Sequence, residues 1–308
     1  MHAKARKKHN WGRMLPVYIM ALPGLVYMIC NNYMPLYGTL IAFKDLNFQK
    51  GIMGSDWCGL ENFEFLFRSS TAGTIIRNTV LYNVVFIVLG MVVSLALAIM
   101  LNEIKNKKLA TAYQSVILLP FLMSWVVASY LFYAFLATDT GLINNSILKP
   151  LGLEPIRWYS ETKWWPFILT FANIWKGVGY QMIIFLASLV SISPEYYEAA
   201  TVDGASKWQQ IRKITLPLMK PTVITLLILS VGRIFASDFG LFYQIPRNTG
   251  VLYPVTQTID VYVYNALMKN SDYGMSSAAS LFQSVVGFVL VIVTNAIARK
   301  TNKDSALF

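Results

Sequence analysis

Apolar residues fall in long blocks along this chain, separated by polar segments. Each block approaches or exceeds the ~20 residues that a helix rising ~1.5 Å per residue needs to cross ~30 Å of hydrocarbon. Six blocks are predicted to be membrane-spanning helices: Met14 to Tyr37, Thr79 to Leu101, Ala112 to Leu136, Trp164 to Ile192, Pro221 to Tyr243 and Ser277 to Ala298. The first, second, third and sixth hold no charged residue, whereas the fourth holds Lys176 and the fifth Arg233 and Asp238. Nothing is charged between Arg13 and Lys44, and no clear small-x-small site follows that run. It is too long for the apolar core of a signal peptide, so it is expected to stay as a span. The pattern predicts an all-α polytopic membrane protein. A six-helix domain, 14–298, lies between a basic tail at 1–13 and a short tail at 299–308.

Composition agrees. Of the 308 residues 56% are hydrophobic and 13% charged, about half the charged share usual in soluble proteins. Lys and Arg in short loops set orientation. With the N-terminus inside, the inner segments gather Lys4, Arg6, Lys7, Lys8, Arg13, Lys105, Lys107, Lys108, Lys207, Arg212, Lys213, Lys220, Arg299, Lys300 and Lys303. The acidic residues lean outward, among them Asp45, Asp56, Glu61, Glu64, Asp139 and Asp260. Both termini are therefore expected to be cytoplasmic, in a multi-pass protein of the cell membrane. The net charge of +11 is spread among these loops and leaves no nucleic-acid footprint. Cys30 and Cys58 read as free thiols, and His2 and His9 form no metal-ligand set.

Three outer segments are long: Gly38 to Asn78, Ala137 to Lys163 and Gln244 to Ser276. They offer enough surface to meet an external partner, or they simply connect and cap the helices. Trp57, Trp158, Trp164 and Trp165 are expected to be interfacial anchors.

The segment 193–217, between the fourth and fifth spans, has legible local physics. Ser193 is placed to cap a helix whose first position is Pro194, and Glu195 suits its positive end. Gly204 is expected to end that helix in the left-handed conformation. Ser206 and Gln209 have the spacing of a capping box for a second helix, which Pro217 is expected to stop. The result is a stiff helix–bend–helix element on the inner side. Ala199 and Ala200 leave room for another surface to approach. Physics alone permits either a knob that receives a push or a loop lying on the bilayer.

Glu198-Ala199-Ala200, three residues, Gly204, nine residues, Ile214, one residue and Leu216-Pro217 resemble the EAA loop of ABC-importer permeases. Gly59-Leu60-Glu61-Asn62-Phe63, Leu118-Leu119-Pro120 and Gly141-Leu142-Ile143-Asn144 are similar to further patterns of the carbohydrate-uptake, maltose-type branch. The segments Val255 to Tyr264 and Tyr273 to Ser284 look like the subgroup for polysaccharide or aldouronate-type oligosaccharides. The resemblance implies a type I ABC-importer transmembrane-domain-like fold. It implies that Glu198, Ala199, Ala200, Asp203 and Gly204 form the coupling contact with an ATP-hydrolysing subunit. The implied partners are a homologous permease in a heterodimer, two copies of an ABC ATPase, an extracellular solute-binding protein and an oligosaccharide.

A charge deep in a span costs at least ~2.5 kcal/mol on insertion scales and usually faces a cavity or a partner. Asn173, Lys176, Gly177 and Tyr180 fall at i, i+3, i+4 and i+7 on one face of the fourth span. Polar tips for hydroxyls, a ring for stacking and a bare glycine suit a sugar, and "N-x-W-x-G-x-x-Y" permeases of the maltose type resemble this segment. The resemblance implies substrate contacts there. Lys176 departs from the apolar maltose-type residue, which suits an acidic sugar; pairing with a neighbouring carboxylate is the alternative. Ser230, Arg233 and Ser237 are expected to share a face of the fifth span, with Arg233 and Ser237 as further substrate contacts and Asp238 as a structural partner.

No Gly-x-x-x-x-Gly-Lys-Ser/Thr phosphate loop occurs, nor any catalytic triad. The chain is expected to be no enzyme by itself, with no cofactor of its own; ATP and Mg²⁺ belong to the ATPase. The rival readings are an ion-coupled secondary carrier, for which no inverted repeat is evident, and a non-transporting scaffold, which has no need of the coupling element.

Overall fold

A computed structural model describes residues 11–65 and 70–301. The charges of the N-terminal tail before Trp11, together with Arg68, Lys303 and Asp304, lie outside the described residues. The main helices are α1 (Trp11–Met28), α2 (Ser70–Asn102), α3 (Lys107–Leu122), α4 (Trp125–Leu136), α5 (Trp165–Val190), α6 (Glu195–Val202), α7 (Lys207–Gln210), α8 (Leu216–Val231), α9 (Phe239–Gln244), α10 (Ile259–Asn270) and α11 (Tyr273–Thr301). Four helical segments are long and apolar enough to cross a membrane by themselves: Met14–Phe43, Thr71–Asn102, Lys207–Val231 and Tyr273–Lys300. Two bent pairs raise the count to six, Lys107–Leu122 with Trp125–Leu136 and Thr162–Val190 with Glu195–Val202.

The third predicted span is therefore not one straight helix. It turns by 98° between α3 and α4. Pro120 brings no N–H to the end of α3, the Met123 N–H bonds back to the Pro120 carbonyl, and the Ser124 hydroxyl caps α4 at Val127.

The fifth predicted span also needs correction. Pro217 does not stop α7; one helical run covers Lys207–Val231. A π turn, Ile211–Thr215, sits just before the proline and loosens the ladder where an N–H is missing. The run then ends at Val231, well short of Tyr243. Gly232 to Asp238 is non-helical, and its free backbone groups find side chains from other spans. Asn83 Nδ2 donates to the Ile234 and Ala236 carbonyls (2.9 and 3.1 Å), and Gln283 Nε2 donates to the Phe235 carbonyl (2.6 Å). Broken helices persist within a membrane where the freed groups are met in this way. The face expected to hold Ser230, Arg233 and Ser237 does not form, because only Ser230 is helical.

Two cores hold the bundle. One joins Tyr82, Phe132, Trp165, Leu169 and Ala172 of the spans to Phe242 of α9 and to Ile245, Leu252 and Val261 of the segment 244–276. That segment is thus folded onto the bundle. The other core packs Ala98 and Leu101 against Met182, Phe185, Leu189 and Met219. Trp165, expected as an interfacial anchor, is fully buried, with its Nε1 donating to the Trp158 carbonyl at 2.7 Å. A two-residue antiparallel pair, Lys44–Asp45 with Asp56–Trp57, is the small exception to an all-helical chain.

Candidate functional site

The element 193–217 is built as its local chemistry dictates. The α6 helix ends in a Schellman motif. Gly204 has φ +75°, the Ala205 N–H reaches the Ala200 carbonyl at 2.8 Å, and the Gly204 N–H reaches that of Thr201 at 3.1 Å. Ser206 and Gln209 form the expected capping box at the start of α7. Glu198, Ala199, Asp203 and Gly204 are exposed, while Ala200 is half-buried. Val202, Tyr196 and Trp208 also stand in the open, Val202 at 87% exposure.

Three contacts tie this knob to the bundle. The Tyr197 hydroxyl lies 3.0 Å from Thr215 Oγ1, Gln210 Nε2 donates to Thr201 Oγ1 at 2.9 Å, and Lys207 pairs with Glu103, just past α2, at 3.0 Å. Tyr197 and Thr201 thus brace α6 against the run Lys207–Val231, and Lys207 joins that run to the end of α2.

The second cluster lies where the breaks meet α5. Lys176 Nζ donates to the Phe121 carbonyl at 3.1 Å and sits 5.4 and 5.0 Å from the ring centres of Phe121 and Trp125. No carboxylate lies within ion-pair distance of Lys176 among the described residues; the carboxylate of Asp238 is held by the Trp125 indole, whose ring Lys176 faces. The carbonyl is available because α3 ends there. Tyr180 is exposed and stacks on Phe121 with centroids 4.8 Å apart and planes at 13°. Gly177 has open space above it, and Asn173 is half-buried with no hydrogen bond from its amide group among the described residues. Trp125 Nε1 donates to Asp238 Oδ2 at 2.7 Å, and Asp238 Oδ1 caps α9 at the Leu241 N–H. Lys176 and Tyr180 thus meet at Phe121, with Trp125 beside Lys176, while Asn173 and Gly177 are associated with them only by helical spacing along α5.

Arg233 and Ser237 do not join it. Arg233 is exposed in the turn after α8, with no side-chain partner among the described residues. Ser237 is committed to structure: its N–H and hydroxyl reach Asp260 Oδ2 at 2.6 and 2.7 Å, and the hydroxyl also meets Thr258 Oγ1 at 2.7 Å. Gln283 Nε2 brings a third donor to the same Asp260 oxygen. Sequence reasoning missed Phe121, Trp125 and the close-packing Gly179, whose neighbours are set by tertiary structure. Pro120 followed by a serine N-cap was the available signal for the shelf.

Residues 87–303 match the family described as the binding-protein-dependent transport system inner membrane component. The chain is 34% identical to the polygalacturonan/rhamnogalacturonan transport system permease protein YteP of Bacillus subtilis (strain 168), over 94% of this chain and 89% of that protein. It is 30% identical to the lactose transport system permease protein LacF of Rhizobium radiobacter, over 76% and 78%. Among solved structures it resembles a chain of a bacterial ABC transporter involved in the import of the acidic polysaccharide alginate, with TM-score 0.85 and 31% identity over 94% of this chain and 97% of that one. The same fold is matched in a complex of the bacterial alginate ABC transporter with its alginate pentasaccharide-bound periplasmic protein. With a matching domain model over more than half its length and relatives of this similarity, the chain belongs to the binding-protein-dependent transport system inner membrane components, the permease subunits of ABC importers.

Proposed function

We propose that this permease carries an acidic oligosaccharide across the cell membrane, with both termini in the cytoplasm. The observation that carries the reading is Lys176. Its ammonium is held by a carbonyl and two aromatic faces, with no carboxylate in direct ion-pair contact among the described residues, beside an exposed tyrosine and an open glycine. Aromatic faces stack on sugar rings, and a fixed cation pairs with a uronate carboxylate through charge-assisted hydrogen bonds. The names of the polygalacturonan and alginate relatives point the same way.

In this reading a solute-binding protein delivers sugar to the outer segments. A homologous permease completes the pathway as a heterodimer, two ABC ATPase subunits bind the ATP and Mg²⁺, and one of them grips the knob formed by Glu198, Ala199, Ala200, Asp203 and Gly204. The exposed Val202 and the braces to Thr215 and Glu103 support that role, since a load-transmitting element needs an open tip and fixed roots.

The test is uptake of a uronate oligosaccharide and of its neutral counterpart by the complete transporter in proteoliposomes. The wild type should prefer the acidic sugar. Lys176→Gln should lower that preference about tenfold, the worth of one hydrogen bond to a charged group. Equal uptake of both sugars by the wild type would overturn the acidic reading.

A further inference from the structure

A second cation stands against α5, nearer its N-terminal end than Lys176. Arg77, in the second turn of α2, lines a cavity of about 330 Å³ with Leu81, Val85, Pro166 and Thr170. Its guanidinium is anchored, not free to wander: Nη2 donates to the Pro254 carbonyl at 3.2 Å and to Asn78 Oδ1 at 3.1 Å. Asn78 is itself fixed to the Pro254 and Gln257 carbonyls at 3.2 and 3.1 Å. No carboxylate pairs with Arg77 among the described residues, and both of these bonds leave from one nitrogen. A guanidinium has five N–H donors, so Nε and Nη1 keep theirs for a ligand.

The α5 wall of this cavity continues the stripe of the candidate sugar site. Pro166, Thr170, Asn173, Gly177 and Tyr180 fall at i, i+4, i+7, i+11 and i+14, one face of one helix. Thr170 and Pro166 precede Lys176 by six and ten residues, about 9 and 15 Å along the axis. That rise is longer than one pyranose ring, so a sugar chain running along this face would present different units to the two cations.

We infer that Arg77 forms an outer carboxylate subsite of the pathway, which engages a uronate unit of the oligosaccharide one or more units ahead of the one held at Lys176. The inference rests on the acidic-sugar reading above. The planar guanidinium matches a carboxylate with two parallel donors. Leu81 and Val85 give the ring an apolar wall. A substrate engaging both cations must be longer than a single unit, so Arg77 selects for chain length as well as for charge.

The experiment is uptake of uronate oligosaccharides of increasing length, and of a neutral oligosaccharide, by the complete transporter with saturating binding protein. Wild type is compared with Arg77→Gln and Arg77→Lys. Arg77→Gln should slow the longer uronates about tenfold, as expected for one lost charged hydrogen bond. It should leave the shortest accepted uronate and the neutral sugar unchanged, and Arg77→Lys should restore part of the loss. An equal loss for every sugar would assign Arg77 to holding the Pro254 turn and overturn the subsite. So would a loss that depends on anionic lipid and not on the sugar, which would assign it to a headgroup phosphate. If Lys176→Gln changes the acidic preference while Arg77→Gln changes nothing, the outer subsite alone fails. If wild type shows no acidic preference, the parent reading fails first.

Discussion

Two glycines on α5, two positions apart, should respond to the same substitution in opposite ways. At Gly179 an added Cβ would lie 2.4 Å from the Ile117 carbonyl oxygen, 2.9 Å from its carbon and 2.9 Å from Leu118 Cα. All three are backbone atoms of α3, so no side chain can rotate away. Ordinary carbon contacts lie at ~3.5–4.0 Å, and α3 and α5 must part by about 1 Å to admit the methyl group. Overpacking of this kind costs roughly 1–3 kcal/mol, against a gain of up to ~1 kcal/mol from removing glycine from a helix. At Gly177 nothing lies within 4 Å of the added carbon, so only the helical gain remains. The assay is the thermal midpoint of the purified transporter in detergent, paired with uptake in proteoliposomes. Gly179→Ala should lower the midpoint by about 2–4 °C for each kcal/mol of net cost. Gly177→Ala should hold or raise the midpoint yet reduce uptake, because the methyl group occupies the open space beside Lys176 and Tyr180. Equal midpoints for the two variants would refute the close approach of α3 to α5. Unimpaired uptake with Gly177→Ala would remove that glycine from the sugar path.

Gly204→Ala places an L side chain at φ +75°, a cost of roughly 1–2 kcal/mol, and Gly204→Val adds β-branching. Both variants should reach the membrane, and the valine form should lose sugar uptake and sugar-stimulated ATP hydrolysis together; normal coupling in it would count against the knob. Asp260→Ala strips one acceptor from three donors, the Ser237 N–H, the Ser237 hydroxyl and Gln283 Nε2. At roughly 1–3 kcal/mol for a buried donor left unmet, it should lower the thermal midpoint clearly, and Asp260→Asn, which keeps an acceptor oxygen, should lower it less.

Features encoded within a few residues were legible in the sequence. The apolar blocks marked the membrane helices, because a span is defined by its own composition. The Gly204 turn and the Ser206–Gln209 box were legible because both are closed by bonds inside one short segment. The breaks were hidden. The Gly232–Asp238 gap is supported by Asn83 and Gln283 from distant spans, and nothing local marks their aim. Periodicity therefore carried the fifth helix too far and put Ser237 on a face that does not exist. Lys176 was legible as an unusual charge, but its partner was not. That partner is a backbone carbonyl exposed by the end of α3, an acceptor invisible in any side-chain pattern.

The run Lys207–Val231 has 25 residues and is about 37 Å long. Its inner end is bonded to the knob through Gln210 and Thr215. Its other end leads into the gap that holds Asp238 against the Trp125 indole. A lever of that length converts a tilt of about 10° into about 6 Å of travel at its tip. That stroke exceeds the reach of the Trp125–Asp238 bond, so a modest swing of one rod suffices to open or shut the aromatic shelf without unfolding any helix.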